Sequence, residues 1–527
     1  MSKVITAEQA IDVIKDGSTI AIGGMGLGGW PEELAKTLEN KFLETGHPRD
    51  LSVKQGAAIG DWGDRGTIRW GHEGIVKKWA GAHIGAAGPL NKLVREGKVQ
   101  AHCLPQGVIL HLWREIAAHR PGLITKVGLG TFVDPRLEGG RMNNATTEEL
   151  VKVVEFENEE WLFYKTFSID VALIRGTTAD ENGNLTLDKE GIMYEALQIA
   201  QATKNTGGIV IAQCEYLAKA STLHPKQVRV PGIMVDYVVQ ARDKDNCWQT
   251  EGLYYEPAFS GDIKIPLEAI PRLPMNERKI IARRCAMELT SNTIVNLGFG
   301  MPADVSSVAV EEGISHMMTM TTEAGGVGGV PASPPNFGSS YNADALIEHV
   351  AMFDYYDGGG LDVTFLGLAE TDKHGNVNVS KFSPRLIGPG GFINISQSAK
   401  KAVFCGTFTN GVKVKVEDGK LIIVEEGKRK KFLDHVEQVT FGGQYASKIK
   451  QPVLYVTERA VFTLEDGKMT LIEIAPGINL QKDILGQMDF VPHISSQLKE
   501  MDSGLFHSVW GGLKEYIEIK EKINKHK

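Results

Sequence analysis

Cysteine is scarce. The five in 527 residues (Cys103, Cys214, Cys247, Cys285 and Cys405) stand far apart and never in C-x-x-C spacing. That argues against a disulfide framework and against thiolate metal clusters. The 14 histidines form no H-x-x-x-H ladder, so no metal is expected either. No apolar run is long enough to span a bilayer, and the opening Met1-Ser-Lys-Val-Ile-Thr-Ala-Glu8 lacks an apolar core of signal-peptide type. The expected location is the cytoplasm, with no membrane partner. Long runs of one charge sign are missing too: the net charge of −8 is spread without them, leaving no electrostatic footprint for nucleic acid. What remains is an ordinary globular composition, 42% apolar and 23% charged. A chain of 527 residues exceeds one core and predicts two large domains.

Glycine is plentiful, and its densest cluster adjoins a single acid. In His316-Met-Met-Thr-Met-Thr-Thr-Glu-Ala-Gly-Gly-Val-Gly-Gly-Val330, Met and Thr alternate over 316–322 as a short strand, which runs into Glu323, Gly325, Gly326, Gly328 and Gly329. Ligands of open α/β sheets bind just past the carboxyl ends of strands. Glycine there lets a substrate approach the main chain closely. Taken alone, the stretch reads more plainly as a loop with a solvated carboxylate.

The chain carries a weak internal duplication. Thr6 and Gln9 form a capping box for a helix over 6–17, followed by a strand at 18–22, a glycine turn, and a second helix from Glu32. A helix at 279–289, a strand at 293–297, Gly298-Phe-Gly300-Met-Pro302 and a helix near Ala303 repeat that order. A tighter match aligns Ser168-Ile-Asp-Val-Ala-Leu-Ile174 with Gly360-Leu-Asp-Val-Thr-Phe-Leu366. It pairs Asp170 with Asp362 and Gly183 with Gly375. Asn182-Gly183 and His374-Gly375 predict two-residue hairpin turns, each followed by an apolar strand, 208–212 and 402–404. Two related α/β domains follow, 1–270 and 277–527, divided near 268–276 where Pro266, Pro271 and Pro274 break the pattern. Residues 453–462 and 469–474 read as a hairpin closed by Glu465-Asp-Gly467, and the tail from Glu515 as a solvated helix. Cys405, in an apolar run, reads as a buried strand thiol.

Gly24-x-Gly26-x-x-Gly29 matches a dinucleotide fingerprint between strand and helix, but that fingerprint expects an acid ending the next strand. Here 51–55 ends in Gly56, and Trp30-Pro31 crowds the pyrophosphate position, so a tight packing turn is the better reading. Pro105-Gln-Gly107, Gly128-Leu-Gly-Thr-Phe132 and Gly388-Pro-Gly-Gly-Phe392 are further glycine-bearing loops. Each reads equally as a bend or as a source of amide donors. With no nucleophile-elbow Ser, Cys or His, one fitting chemistry uses a carboxylate as the nucleophile and backbone N–H groups to hold the oxyanion.

Together these motifs resemble the family I CoA-transferases, in particular the single-chain bacterial acetate/propionate type. The resemblance rests on Gly23-Gly-Met-Gly-Leu-Gly-Gly-Trp-Pro-Glu32, Pro105-Gln-Gly107, Gly128-Leu-Gly-Thr-Phe-Val-Asp-Pro-Arg136, Thr322-Glu-Ala-Gly325 with Gly328-Gly329, Gly390-Gly391 and Asn394-Ile-Ser396, and spans about residues 4–490. It implies two CoA-transferase (sugar-phosphate-isomerase-like) α/β domains with largely parallel sheets flanked by helices. The implied reaction is a ping-pong exchange of CoA between a short-chain acyl-CoA and a free carboxylate. Glu323 is the implied nucleophile, passing through a mixed anhydride to a glutamyl-CoA thioester. CoA is then co-substrate and covalent intermediate, with no tightly bound cofactor.

The resemblance further places oxyanion donors at Gly298, Gly300, Gly390 and Gly391. Gln106, Gly128 and Gly130 face the small carboxylate, Lys413 reaches a CoA phosphate, and the assembly is a homo-oligomer, a tetramer first. Many relatives carry Asn or Ser after the glutamate, whereas this chain has Ala324, which cannot donate a hydrogen bond. The acid stays open among acetate, propionate, butyrate, lactate and 3-oxo acids. Acyl-CoA hydrolysis through the same intermediate is a neighbouring reading. A non-catalytic nucleotide or sugar-phosphate sensor is one from a different class.

Overall fold

The computed structural model describes residues 2–267 and 272–525. In the first half, seven parallel strands are β1 (Thr19–Ile22), β2 (Leu51–Gln55), β3 (Val76–Gly81), β4 (Gln100–Cys103), β5 (Val171–Asp180), β6 (Ile209–Ala218) and β7 (Tyr237–Gln240). They lie in the order β7-β6-β5-β1-β2-β3-β4. In the second half β8 (Ile294–Leu297), β9 (Thr319–Thr321), β10 (Val363–Gly367), β11 (Ala402–Cys405) and β12 (Val453–Val456) run parallel in the order β9-β8-β10-β11-β12. That order repeats β2-β1-β5-β6-β7 of the first sheet. Short apolar runs such as Val171-Ala-Leu-Ile174 are buried throughout, as strands covered on both faces require.

The duplication extends to single hydrogen bonds. Asp170 Oδ2 accepts the Thr19 N–H at 2.7 Å, and Asp362 Oδ2 accepts the Ile294 N–H at 2.8 Å, so each aspartate ties its strand to the start of the central one. Asp180 Oδ1 accepts from Asn182 N (3.0 Å) and Asn184 N (2.9 Å); Asp372 Oδ1 accepts from His374 N (3.0 Å) and Asn376 N (3.1 Å). These hairpins are one residue longer than the expected two-residue turns. The ladder closes Asp180 on Asn184 and Asp372 on Asn376, with Gly183 (φ 88°) and Gly375 (φ 74°) in the left-handed position that each loop needs.

Other elements differ from expectation. The first helix, α1 (Ala7–Asp12), keeps its Thr6–Gln9 capping box but stops before Gly17, where the chain turns toward β1. Residues 315–317 form a 3-10 turn, so β9 is shorter than the Met/Thr alternation suggested. Residues 453–465 are two antiparallel strands, β12 and β13 (Ala460–Glu465), because Thr457 Oγ1 caps a tight turn onto Ala460; β13 then pairs with β14 (Lys468–Ile474). The C-terminal helix Leu513–Lys525 is not wholly solvated: Leu513 and Ile517 are buried in the second core. Of the expected domain boundary, 268–271 lie outside the described residues. Asn276, which caps the helix Glu277–Ala286, stands at its far end.

The largest apolar cluster passes from one half into the other through three helices, α2 (Gln106–Ala117), α3 (His349–Asp357) and α4 (Phe392–Ser398). Gly107 permits that contact, since a Cβ there would lie 2.4 Å from Asn394 Nδ2 and 2.5 Å from the Phe353 ring. Asn394 Oδ1 accepts the Gly107 N–H at 3.1 Å. The seam is thereby packed, hydrogen-bonded, and sited beside the end of β9.

Candidate active site

Glu323 stands two residues past β9, in a turn that its neighbours hold shut. Thr322 N donates to Gly326 O at 2.9 Å and Gly325 N to Thr322 O at 3.0 Å. Gly325 (φ 113°) admits Ile347, whose carbonyl oxygen would be 2.1 Å from any Cβ placed there. The loop is thus fastened to the segment leading into α3, and the carboxylate faces the seam with only 8% of the residue exposed.

A cavity of about 310 Å³ opens against it, within the size range of small-molecule sites, which starts at roughly 300 Å³. Gln106, Gly298, Phe299, Gly390 and Gly391 share its wall with Glu323. Gln106, the first residue of α2, sends Nε2 to within 3.2 Å of Glu323 Oε1. Gly391 presses its backbone on the other oxygen: a Cβ there would sit 2.5 Å from Glu323 Oε2. Burial pushes the Glu323 carboxyl above its ordinary range, with neighbouring His349 and the Gln106 amide pulling the other way. A carboxylate so stripped of water is a stronger nucleophile than a hydrated one.

The remaining residues expected at the site divide. Gly298 and Gly390 line the cavity, but their N–H groups are already engaged, donating to Phe365 O at 2.8 Å and Ala82 O at 2.9 Å. They therefore cannot hold an oxyanion as expected. The Gly391 N–H has no protein acceptor among the described residues. Gly300 (φ 86°) supports the turn but is not on the cavity wall.

The loop of Gly128 and Gly130 is elsewhere. The Gly128 N–H donates to Gln397 Oε1 of the other half at 2.7 Å and the Gly130 N–H to Asp134 Oδ2 within its own loop at 3.1 Å, and neither glycine is on the cavity wall. Lys413 lies on the exposed hairpin Lys413–Glu417/Lys420–Glu425, paired with Glu425 at 2.6 Å and away from the cavity wall. Ala324 is fully buried against Ile192 and Tyr194, which explains why a small apolar residue fits there.

Two residues entered no sequence argument. His349 opens α3 with its Nε2 2.9 Å from Gln106 Nε2, and its Nδ1 is 3.0 Å from Glu195 Oε2. Neither has a motif around it; only their burial, which sequence does not display, marks them. The Gly24–Gly29 turn has a packing purpose. A Cβ on Gly28 would fall 1.8 Å from Tyr194 Oη and one on Gly29 2.7 Å from the Tyr194 ring, so glycine there seats a tyrosine. Among the described residues no group of three or more His, Cys, Asp or Glu could hold a metal ion, and no helix is long and apolar enough to cross a membrane.

Known proteins resemble this chain over most of its length. The sequence model for the family described as Coenzyme A transferase matches residues 4–241. A caffeate CoA-transferase from Acetobacterium woodii is 62% identical over 518 residues, covering 97% of this chain and 99% of the relative. The acetate CoA-transferase YdiF of Escherichia coli (strain K12) is 44% identical over 506 residues, 95% of each chain. A solved structure, the acyl-CoA transferase YdiF from Escherichia coli O157:H7 as a thioester complex with CoA, superposes with a TM-score of 0.91 at 42% identity, covering 97% of both chains. Full-length identity well above 30%, the same fold, and a buried carboxylate at the seam lead to one conclusion: this chain belongs to the coenzyme A transferase family, among its single-chain members.

Proposed function

We propose that this CoA-transferase carries CoA on Glu323 and that the acid it serves is a hydroxylated aromatic carboxylate of the caffeate kind. Glu323 attacks the acyl-CoA carbonyl carbon; the C–S bond breaks and CoA leaves as thiolate, with a mixed anhydride left on the enzyme. The thiolate returns to the glutamyl carbonyl carbon, that carbon's bond to the bridging oxygen breaks, and the donor acid departs as a carboxylate carrying that oxygen. A second carboxylate reverses the sequence. The observation that carries this reading is the dry carboxylate of Glu323, with the Gln106 amide on one oxygen and the Gly391 backbone on the other. The Gln106 and Gly391 N–H groups are the oxyanion donors in this scheme. One such donor is typically worth about 3 kcal/mol in the barrier.

Three observations support an aromatic acid. The relative at 62% identity is named for caffeate. Trp62, Phe299, Phe337 and Phe392 give the cavity ring surfaces on which an aryl group stacks. Tyr194 Oη and Ser339 Oγ are buried without a partner among the described residues, and both residues line the cavity. Unpartnered buried hydroxyls disfavour an all-apolar ligand and favour one that brings its own hydroxyls. Glu251, on the same wall, is pushed up to about 7 by burial and then by the Asp61 charge, so near neutrality it is available both as donor and acceptor.

Within this proposal, domains 1–270 and 277–527 close on the substrate from either side, in a cytoplasmic homotetramer. An acceptor panel with acetyl-CoA tests the acid. The reading expects kcat/KM for caffeate to exceed that for acetate; preference for acetate or lactate overturns the aromatic assignment. Release of free CoA at a comparable rate without any acceptor would instead indicate a hydrolase.

A further inference from the structure

From Glu323 a line of buried side chains runs back to the turn after β1. Gln106 Nε2 lies 3.2 Å from Glu323 Oε1 and 2.9 Å from His349 Nε2; His349 Nδ1 lies 3.0 Å from Glu195 Oε2; and Glu195 Oε1 accepts the Gly24 N–H at 3.3 Å. Gln106 is 1% exposed, and Glu195 and His349 are fully buried. The members alternate between halves of the chain: Glu195 and Gln106 from the first, His349 and Glu323 from the second.

With one proton on the imidazole and Glu323 ionised for attack, the donor and acceptor inventory gives one assignment. A carboxylate only accepts, so His349 presents an N–H to Glu195 from Nδ1, and in the tautomer with one ring proton that proton sits there. Nε2 is then a lone pair and must receive an N–H. Gln106 supplies it with one amide hydrogen, and the other points at Glu323. Turning the amide over would set its oxygen against both a carboxylate oxygen and a ring lone pair. An isolated glutamine has no such preference, since its two ends are nearly isosteric.

We propose that Glu195 and His349 are positioning residues that lock the Gln106 amide with an N–H on the reacting carboxyl of Glu323. The N–H is thereby in place when the returning thiolate turns the glutamyl carbonyl into an oxyanion. Neither residue touches the substrate. The proposal rests on Glu323 being the covalent carrier, and the test separates the two.

The experiment follows thioester formation on the whole chain by rapid quench and intact mass, with acyl-CoA and no acceptor acid. His349→Phe keeps a ring beside Phe353, whose ring centroid is 5.6 Å away, but removes both nitrogens. It should slow thioester formation by about 10–100-fold, part of what losing an oxyanion donor costs, while the half-saturating acyl-CoA concentration and the melting temperature hold. Glu195→Ala should show the same split without altering the imidazole site. His349→Gln, which can accept from Gln106 and donate to Glu195, should recover most of the rate. Gln106→Ala combined with His349→Phe should be no slower than Gln106→Ala alone, because positioning acts only through that amide.

A wild-type chain that forms no thioester on Glu323 overturns the carrier reading and this proposal with it. A normal thioester rate in His349→Phe and Glu195→Ala overturns the positioning alone. So does a double variant whose losses simply add. If His349→Phe does not fold, Glu195→Ala and His349→Gln decide the matter.

Discussion

Two positions built alike differ in what their carboxylates face, and the proposed mechanism turns on that difference. Asp170 and Asp362 pin the starts of β1 and β8, aligning Thr19 with Ile294 and Ala21 with Asn296. Ala21 pairs with Lys54, and Asn296 with Thr321, so two residues beyond each partner stand Gly56 and Glu323. In the first half the place is empty of side chain and Glu195 occupies the room: a Cβ on Gly56 would be 3.0 Å from Glu195 Oε1. In the second half the side chain is present, and Gly391 and Gln106 have closed around it. Both turns hold a buried carboxylate, but Glu195 is tied down by the Gly24 N–H and His349, whereas Glu323 faces a cavity. In the proposed mechanism, reactivity comes from what the carboxylate opens onto, more than from the strand that presents it.

The largest effect should come from erasing the difference. Glu323→Gln should lower CoA transfer by on the order of 10⁴-fold or more, as removal of a covalent nucleophile does. Adding Gly56→Glu should restore nothing, because that position is filled by Glu195 and Leu110. Steady-state transfer assays check both. Next, Gly391→Ala should cost about 10²–10³-fold in kcat, since its Cβ intrudes on Glu323 Oε2 and displaces the adjoining amide; the matching readout is kcat with the chain's melting temperature held.

The twin loops should respond alike. Asp180→Ala and Asp372→Ala each remove a carboxylate that accepts two loop N–H groups and the side-chain amide of Asn184 or Asn376. Each should cost about 1–2 kcal/mol in urea unfolding, with similar values for the pair. Unequal costs would show that the shared frame is unequally stressed.

The smallest effect is one of pH. Burial raises the Glu323 pKa in the folded chain above its unfolded value, so the folded state binds that proton more tightly. Its contribution to stability is therefore present in acid and lost as pH rises through the folded pKa. At neutral pH, Glu323→Gln should stabilise the chain by about 0.5–2 kcal/mol, a gain that shrinks in acid. Thioester formation has the opposite sense, rising with pH as the carboxyl ionises.

Much of this frame could be read from residues. Asp170 and Asp362 at a constant offset and the glycine turns point to two α/β units, whereas Glu323 with its four glycines reads as a solvated loop acid until the family resemblance singles it out. The reasons are local: strand burial, positive φ and turn chemistry leave marks in consecutive residues. Other features were not legible. Whether the Gly298 or Gly390 amide is free depends on Phe365 and Ala82, far away in sequence. Gly128 and Gly130 satisfy the same glycine pattern, yet bind Gln397 and Asp134. His349 and Glu195 are 154 positions apart and meet only because α3 packs against the first half. A pattern reports conformational freedom; the partner that uses it belongs to the assembled fold.

The central claim, that Glu323 carries CoA covalently, is tested most directly by intact-mass spectrometry after incubation with acyl-CoA in the absence of acceptor acid. The account predicts a gain equal to CoA less water, mapped by fragmentation to the peptide holding Glu323, discharged by hydroxylamine and absent from Glu323→Gln. CoA found on another residue, or transfer that persists undiminished in Glu323→Gln, would contradict it.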